Sequence, residues 1–183
     1  MLSKPSKSKI NKLWENFLSG RIFNPITAIE QISFLLFIKR LDEIDTNKVR
    51  DYEFSGKKYQ SIFKGKFEIP GTGSDNKKPD TIDKAKLRWS YFKQMAPKEL
   101  LNHISTKVFP FIKQLYSDHE SFTRHIKNAV FMIPKPSLLD EAVRNIDEIY
   151  DEIKKQSGSR QEFLDNQGEI YEYLLNEMAV AGK

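Results

Sequence analysis

Apolar residues recur at helical spacing near the start of the chain. The spacing predicts a first helix that follows Ser8 and stops at Gly20. Five apolar residues share its inner face: Ile10, Leu13, Trp14, Phe17 and Leu18. A second helix is predicted from Thr27, where Thr27 and Glu30 can form a capping box, to about Ile44.

The middle of the second predicted helix is apolar nearly all round, from Ile32 to Ile38. A helix without a polar face is usually buried on several sides. We therefore expect this helix to lie at the centre of a helical bundle.

Residues 46–96 break the helical pattern. Within them, residues 52–59 and 62–69 are predicted to be short extended pieces with glycine turns, which together could form one small β-hairpin. Residues 70–79 combine Pro, Gly, Ser and Asn, a composition typical of a loop, and we expect them to be the most mobile stretch. So long a stretch with little regular pattern indicates a functional insertion in a compact domain.

Helical spacing returns after Pro97, which suits the first turn of a helix. Four residues form its apolar stripe: Leu100, Leu101, Ile104 and Val108. Pro110 is expected to kink or divide this helix, because proline lacks the N–H that the helix interior requires. A further short helix is predicted around residues 121–130.

Two more helices are predicted towards the end of the chain. The first begins at Ser137, with Asp140 as an acid near its positive end, and stops at residues 157–159. Its apolar stripe comprises Leu139, Ala142, Val143, Ile146, Ile149, Tyr150 and Ile153. The last helix is predicted from about Gly168, with four apolar residues on one face: Tyr171, Leu174, Leu175 and Met178. The fold class is therefore mainly all-α, a helical bundle in one domain over residues 1–183 with an irregular basic insertion.

Composition narrows the class of protein. The 183 residues include no cysteine, which excludes disulfide scaffolds, cysteine-ligated metal sites and thiol nucleophiles. Hydrophobic residues make up 39% of the chain, enough for a core, so disorder throughout is not expected. The longest apolar stretch falls far short of the roughly 20 residues of a membrane span, and the basic N-terminus lacks the apolar run of a signal peptide. We expect a cytoplasmic domain.

The formal charge of +5 is concentrated in one part of the chain. Residues 1–98 hold 20 basic and 11 acidic side chains, whereas residues 99–183 hold 10 and 14. Between Thr46 and Lys98 the numbers are 13 and 6. A chain polarised in this way can present a basic face to a polyanion, although lysines are also common on solvated loops that bind nothing.

The sequence does not support a self-sufficient enzyme. His103, His119 and His125 are not spaced to place two imidazoles on one helical face, so no metal site is predicted. No P-loop, nucleophile elbow or zinc-protease helix occurs. Four acids fit the solvated face of an amphipathic helix better than a catalytic pair: Asp147, Glu148, Asp151 and Glu152. We assign no catalytic, cofactor-binding or metal-binding residue.

The charged insertion instead favours a binding function. Nine basic residues are the candidates for nucleic-acid contact: Lys57, Lys58, Lys64, Lys66, Lys77, Lys78, Lys84, Lys86 and Arg88. Basic side chains that neutralise phosphates release counterions, which favours binding and makes it salt-dependent. Six aromatic residues are interleaved with them: Tyr59, Phe63, Phe67, Trp89, Tyr91 and Phe92. We expect these rings to pin the insertion onto the bundle rather than to stack on bases, and no recognition helix for base edges is predicted.

Two segments resemble a known family. Ile10, Leu13 and Trp14, followed by residues 34–42 (FLLFIKRLD), resemble the opening helices of the modification methyltransferase (M) subunits of type I restriction–modification systems. Residues 165–175 (DNQGEIYEYLL) are similar to the junction that leads to the catalytic domain in that family. The order and separation of the two segments also match, so the resemblance spans essentially the whole chain.

The resemblance implies an activity for a longer subunit. In this family a helical N-terminal domain precedes a domain that methylates adenine N6 with S-adenosylmethionine. The glycine-containing cofactor motif and the Asn-Pro-Pro-Phe/Tyr motif of that domain do not occur in this sequence, so we expect the catalytic domain after residue 183. The chain alone is expected to bind no cofactor.

The resemblance also implies partners: double-stranded DNA, a specificity subunit, a second M subunit and a restriction subunit. The N-terminal domain would help to close a clamp around DNA, to sense the methylation state of the site and to assemble the subunits. The alternative is a helical bundle for protein–protein interaction that makes no direct contact with DNA.

Overall fold

Helix α1 begins earlier than the apolar pattern alone suggests. The computed structural model describes residues 1–19, 24–116 and 128–181, and α1 is Lys4–Ser19. Ser3 caps it, since the Ser6 N–H donates to the Ser3 Oγ over 3.2 Å. The predicted start after Ser8 is therefore wrong by one turn, whereas four of the five predicted inner residues are buried and Leu18 is half-buried. The predicted stop at Gly20 lies outside the described residues.

Helix α2, Pro25–Ser55, is capped by Asn24 and not by the predicted capping box. The Asn24 Oδ1 accepts the Thr27 N–H over 2.8 Å, and Pro25 occupies the first helical position, where its missing N–H costs nothing. The apolar middle, residues 32–38, is buried as predicted except for a half-buried Ser33 and Phe37. The helix also continues well past the predicted end at Ile44.

The chain divides into two compact units, and the first consists of residues 1–36 and 137–183. It contains α1, the start of α2, α6 (Pro136–Gln156) and α7 (Arg160–Ala181). All seven predicted stripe residues of α6 are buried, and the helix ends where predicted. Polar pairs link α1 to its neighbours: Asn16 Nδ2 donates to Glu141 of α6 over 3.0 Å, and the Tyr173 hydroxyl of α7 donates to Asn11 over 2.9 Å.

Helix α7 begins well before the predicted start at Gly168. Ser159 caps it, since its Oγ accepts the Glu162 N–H over 3.1 Å, and the Glu162 carboxylate accepts the Gly158 N–H over 2.7 Å. Of the predicted apolar face, Leu174 is buried and Leu175 is 50% exposed. The other two predicted members, the side chains of Tyr171 and Met178, lie outside the described residues.

The second unit, residues 37–136, contains the rest of α2 and a small antiparallel sheet. Strand β1 (Lys66–Glu68) pairs with β2 (Thr81–Asp83), with Phe67 opposite Ile82. A hairpin therefore exists, but its two strands flank the predicted loop. The predicted extended piece at residues 52–59 is wrong at its start, because Tyr52–Ser55 are the last turn of α2.

The loop between the strands is closed by its own hydrogen bonds. The Thr72 hydroxyl donates to the Ile69 carbonyl over 2.7 Å and accepts the Asp80 N–H over 2.8 Å. Ser74 and Lys77 exchange two backbone hydrogen bonds at the tip. These bonds fix the path of the loop, while its mobility stays a prediction.

The second unit is completed by helical segments. A 3₁₀ turn (Lys84–Leu87) and α3 (Trp89–Phe92) follow the sheet, so these residues are more regular than predicted. Helix α4 (Pro97–His103) begins at the predicted proline and passes through a π-helical turn (Ile104–Val108) into α5 (Phe109–Tyr116). Three of the four predicted stripe residues are buried, with Leu101 half-buried.

Pro110 does not divide the helix at its own position, because it lies inside α5, just after the π-helical turn. A kink there stays a prediction. The Phe109 N–H donates to the Ile104 carbonyl five residues back, which is the π-helical hydrogen bond. Pro110, the next residue, has no N–H to donate to a preceding carbonyl. The helix predicted around residues 121–130 falls mostly outside the described residues, and residues 128–130 are not helical.

Over the residues that the structure describes, the architecture confirms a mainly α-helical fold with one tiny two-stranded sheet. Within the described ranges, none of the helices combines the length and apolar character needed to cross a membrane.

Candidate nucleic-acid interface

Two buried carboxylates of α2 organise the residues that follow the helix. Asp45 is only 1% exposed, and its carboxylate accepts hydrogen bonds from the Tyr59 hydroxyl at 2.9 Å, the Ser61 hydroxyl at 2.7 Å and the Ile62 N–H at 3.1 Å. Asp42, one turn earlier, accepts the Ser90 N–H at 2.8 Å. Both ends of the basic segment, defined here as residues 57–88, are thus fastened to the same helix.

Arg88 completes this arrangement. Its Nε donates to Asp42 over 2.9 Å, and its Nη2 donates to Asp45 over 3.2 Å. The guanidinium carbon lies 4.9 Å from the centre of the Phe63 ring, a cation–π contact. With its side chain only 25% exposed, Arg88 forms ion pairs with both buried acids, so its predicted contact with DNA would compete with these bonds. That contact stays a prediction.

The interleaved aromatic residues mostly pin the basic segment to the helices, as predicted. Phe63 and Phe67 are buried and pack against Phe111 of α5, with ring centres 5.9 and 5.4 Å apart. Trp89 and Phe92 are fully buried and contact each other edge to face. Because these rings are enclosed, they are not available to stack on bases.

The predicted lysines lie on the outside of the basic segment. Seven of the nine candidates are exposed: Lys57, Lys58, Lys64, Lys66, Lys77, Lys78 and Lys86. Lys77 pairs with Asp80 over 3.5 Å, an exposed contact of little energy. Lys84 is half-buried, with its ammonium 5.9 Å from the centre of the Phe111 ring. Most of the candidate basic residues are therefore exposed, whereas Lys84 and Arg88 are half-buried.

An open hollow of about 490 Å³ lies where α2 meets the basic segment. Gly56 ends the helix with a positive φ of 73°, a conformation that glycine adopts without strain. The hollow is lined by Val49, Tyr52, Glu53, Lys57, Lys58, Tyr59, Gln60 and Lys64. Three candidate lysines are thus brought to one place.

The Tyr59 hydroxyl is tuned by its surroundings. Burial raises the pKa of Tyr59 to about 12, and the hydrogen bond to the Asp45 carboxylate and the negative charge of Asp45 add to the rise. The phenol therefore remains a neutral donor at any physiological pH. Its role is to hold the chain against α2.

His103 is a core residue, only 3% exposed. Its Nε2 donates to the Lys86 carbonyl over 2.7 Å, and burial lowers the pKa of the imidazole. No cluster of three or more metal-ligating side chains occurs in the part of the chain that the structure describes. The other two histidines, His119 and His125, lie outside that part.

The residues that sequence reasoning missed are Asp42 and Asp45. Two buried positions near the predicted end of α2, Asp42 and Asp45, carry carboxylates, and a search for apolar periodicity counts such positions as surface. A usable signal existed: the spacing from Leu41 to Asp45 and on to Val49 keeps one helical face. An acid on the inner face of a helix indicates a buried partner such as Arg88.

Protein-family models were compared with the chain. A family model described as the HsdM N-terminal domain matches residues 6–146. No curated protein and no solved structure matches. The matched residues include most of α1, all of α2 and the whole basic segment, whereas residues 165–175 lie beyond them.

Proposed function

Because the chain belongs to the family of HsdM N-terminal domains, we propose that its basic segment contacts the phosphate backbone of duplex DNA. These are the N-terminal domains of the modification subunits of type I restriction–modification systems. The observation that carries the proposal is the set of seven exposed lysines on a segment fastened at both ends to α2. Fixed attachment points reduce the conformational freedom that such a segment would lose on binding.

The chemistry of the segment favours phosphates over bases. Duplex DNA carries about one negative charge per 1.7 Å of its axis, and lysines that neutralise phosphates release condensed counterions. Four of the interleaved rings are buried, so few exposed ring faces remain on which bases could stack. The proposed contact therefore holds DNA without reading its sequence, a task we assign to a separate specificity subunit.

Assembly with other subunits of a restriction–modification system follows from the family. We propose that the partners are a specificity subunit, a second M subunit and a restriction subunit. The domain would help to close these subunits around DNA and to sense the methylation state of the site. We place the assembled complex in the cytoplasm.

We assign methyl transfer to adenine N6 to a catalytic domain after residue 183, with S-adenosylmethionine as its methyl donor. The hollow at the end of α2 does not fit that cofactor, because the sulfonium of S-adenosylmethionine is a cation and three lysines line the hollow. No step of the reaction is therefore assigned to the described residues.

A salt titration tests the DNA contact. The affinity of the full chain for a short labelled duplex is measured by fluorescence anisotropy over a series of salt concentrations. We expect log K to fall linearly with log salt, by about 0.9 for each phosphate neutralised. Replacing Lys77 and Lys78 by Gln should reduce both the affinity for DNA and the slope of log K against log salt. Arg88 is left unchanged because its loss would leave two buried carboxylates without a paired cation.

The alternative is a protein-interaction bundle without DNA contact. One observation favours it: Leu175 and Val180 of α7 are 50% and 70% exposed, which leaves apolar surface for another chain. An affinity for DNA that is absent, or that does not change with salt, would support this function and reject the phosphate contact.

A further inference from the structure

The hollow at the end of α2 concentrates positive charge that has no internal partner. Lys57, Lys58 and Lys64 line it together with one acid, Glu53. Over residues 1–19, 24–116 and 128–181, none of these three lysines takes part in an ion pair. Lys77, by contrast, already pairs with Asp80. The hollow is therefore a place on the basic segment where three candidate lysines without an ion pair line the same cavity.

The walls of the hollow are held in place. The rings of Tyr52 and Tyr59 stack with centres 5.2 Å apart, and the Tyr59 hydroxyl is anchored on the buried Asp45. The Lys48 ammonium lies 6.0 Å from the centre of the Tyr59 ring. Because Tyr52 and Lys48 already contact the Tyr59 ring, a ligand in the hollow would meet ammonium groups rather than a free ring face.

Two glycines flank the segment that carries the three lysines. Gly56 precedes Lys57 and Lys58, and Gly65 follows Lys64, and both glycines have a positive φ. The backbone thus turns on either side of the segment that carries the three ammonium groups.

We propose that this lysine hollow is the principal phosphate seat of the chain, where the ammonium groups of Lys57, Lys58 and Lys64 hold a phosphate group of the DNA backbone. The inference rests on the proposed function, since it says which part of the basic segment makes the strongest contact. The ligand chemistry is a phosphate anion, which DNA or a free phosphate compound could supply.

Two triple variants of the full chain distinguish this seat from a diffuse basic surface. The first carries Lys57→Gln, Lys58→Gln and Lys64→Gln, and the matched control carries Lys66→Gln, Lys77→Gln and Lys78→Gln. Each removes three exposed charges from the same segment. Circular dichroism and chemical denaturation establish that each variant is folded, and single Lys→Gln variants give the same comparison if a triple variant is not.

The hollow variant is expected to lose about tenfold or more in affinity for a short duplex at low salt. Its salt slope should be lower by about one for each phosphate that the missing ammonium groups no longer neutralise. The control is expected to lose no more than about threefold. Equal losses in the two variants would overturn the seat while leaving the proposed function standing. Wild-type chain without salt-dependent DNA binding would overturn both.

A competition experiment identifies the source of the phosphate. Inorganic phosphate and a free nucleoside triphosphate are added to the wild-type complex at constant ionic strength. Little displacement of duplex DNA is expected, because a single small anion lacks the adjoining phosphates of the backbone. Displacement at low concentration by either compound, abolished in the hollow variant, would overturn the assignment to DNA in favour of a free phosphate ligand.

Discussion

Asp45 shows how a single residue sets the position of the candidate interface. Its carboxylate takes three hydrogen bonds from residues 59–62 and one from Arg88. A buried charge is tolerated only when it is paired and hydrogen-bonded, and this one is both. The residue therefore stabilises the start of the basic segment more than any lysine on its surface.

The variant Asp45→Asn tests this role. The amide places an NH₂ where donors now point, and it leaves Arg88 with one acid instead of two. We expect a loss of about 2–4 kcal/mol in the free energy of unfolding, measured by chemical denaturation. Asp75→Asn, on the exposed loop, is the matched control and should change stability little. Equal effects of the two substitutions would contradict the account.

Tyr59 provides a pH test of the same contact. The free phenol titrates near pH 10, whereas burial and Asp45 raise the pKa in the folded chain to about 12. Between these values the folded state keeps a proton that the unfolded chain loses, so stability falls as the pH rises. A phenolate absorbance titration should show one tyrosine near pH 12 that is missing in Tyr59→Phe. Its appearance near pH 10 would count against the contact.

His103 gives the opposite dependence. Burial lowers the pKa of its imidazole below the usual 6.5, so in acid the unfolded chain binds a proton that the folded chain resists. We expect the free energy of unfolding to decrease as the pH falls below 6.5, and to decrease less in His103→Gln. Parallel pH profiles for the two proteins would show that the histidine is not the cause.

At the scale of the elements, the sequence predicts inner faces better than ends. The stripe of α6 is buried at all seven predicted positions because helical burial follows apolar spacing directly. Ends depend on single caps, and Ser3, Asn24 and Ser159 each act through one hydrogen bond. The hairpin is hard to place from sequence because its strands have three residues each and pair across a long loop.

The Ser159 cap is testable by itself. Ser159→Ala removes the acceptor for the Glu162 N–H, and the expected cost is about 1 kcal/mol in the free energy of unfolding. Ser8→Ala, on the exposed face of α1, is the control and should have no cost, since alanine favours a helix interior. A neutral Ser159→Ala would mean that α7 does not begin there in solution.

At the scale of the whole molecule, the sequence predicts the charge pattern of the surface only in part. The excess of lysines is readable from the sequence, and the structure exposes seven of the nine candidates. The sequence does not show that Arg88 is held in buried ion pairs, because its partners Asp42 and Asp45 lie more than forty positions away along the chain. Long-range pairs of this kind leave no periodic trace in a single sequence.

The central claim is that the basic segment binds the DNA backbone, and protection of lysines from an amine-acylating reagent tests it most directly. The full chain is labelled with and without a short duplex at low salt, and modified lysines are mapped by mass spectrometry. Because a bound phosphate shields an ammonium, the account predicts protection at Lys57, Lys58 and Lys64, weaker protection at Lys77 and Lys78, and none at Lys155 on α6. Equal modification of all these lysines with and without DNA would contradict it.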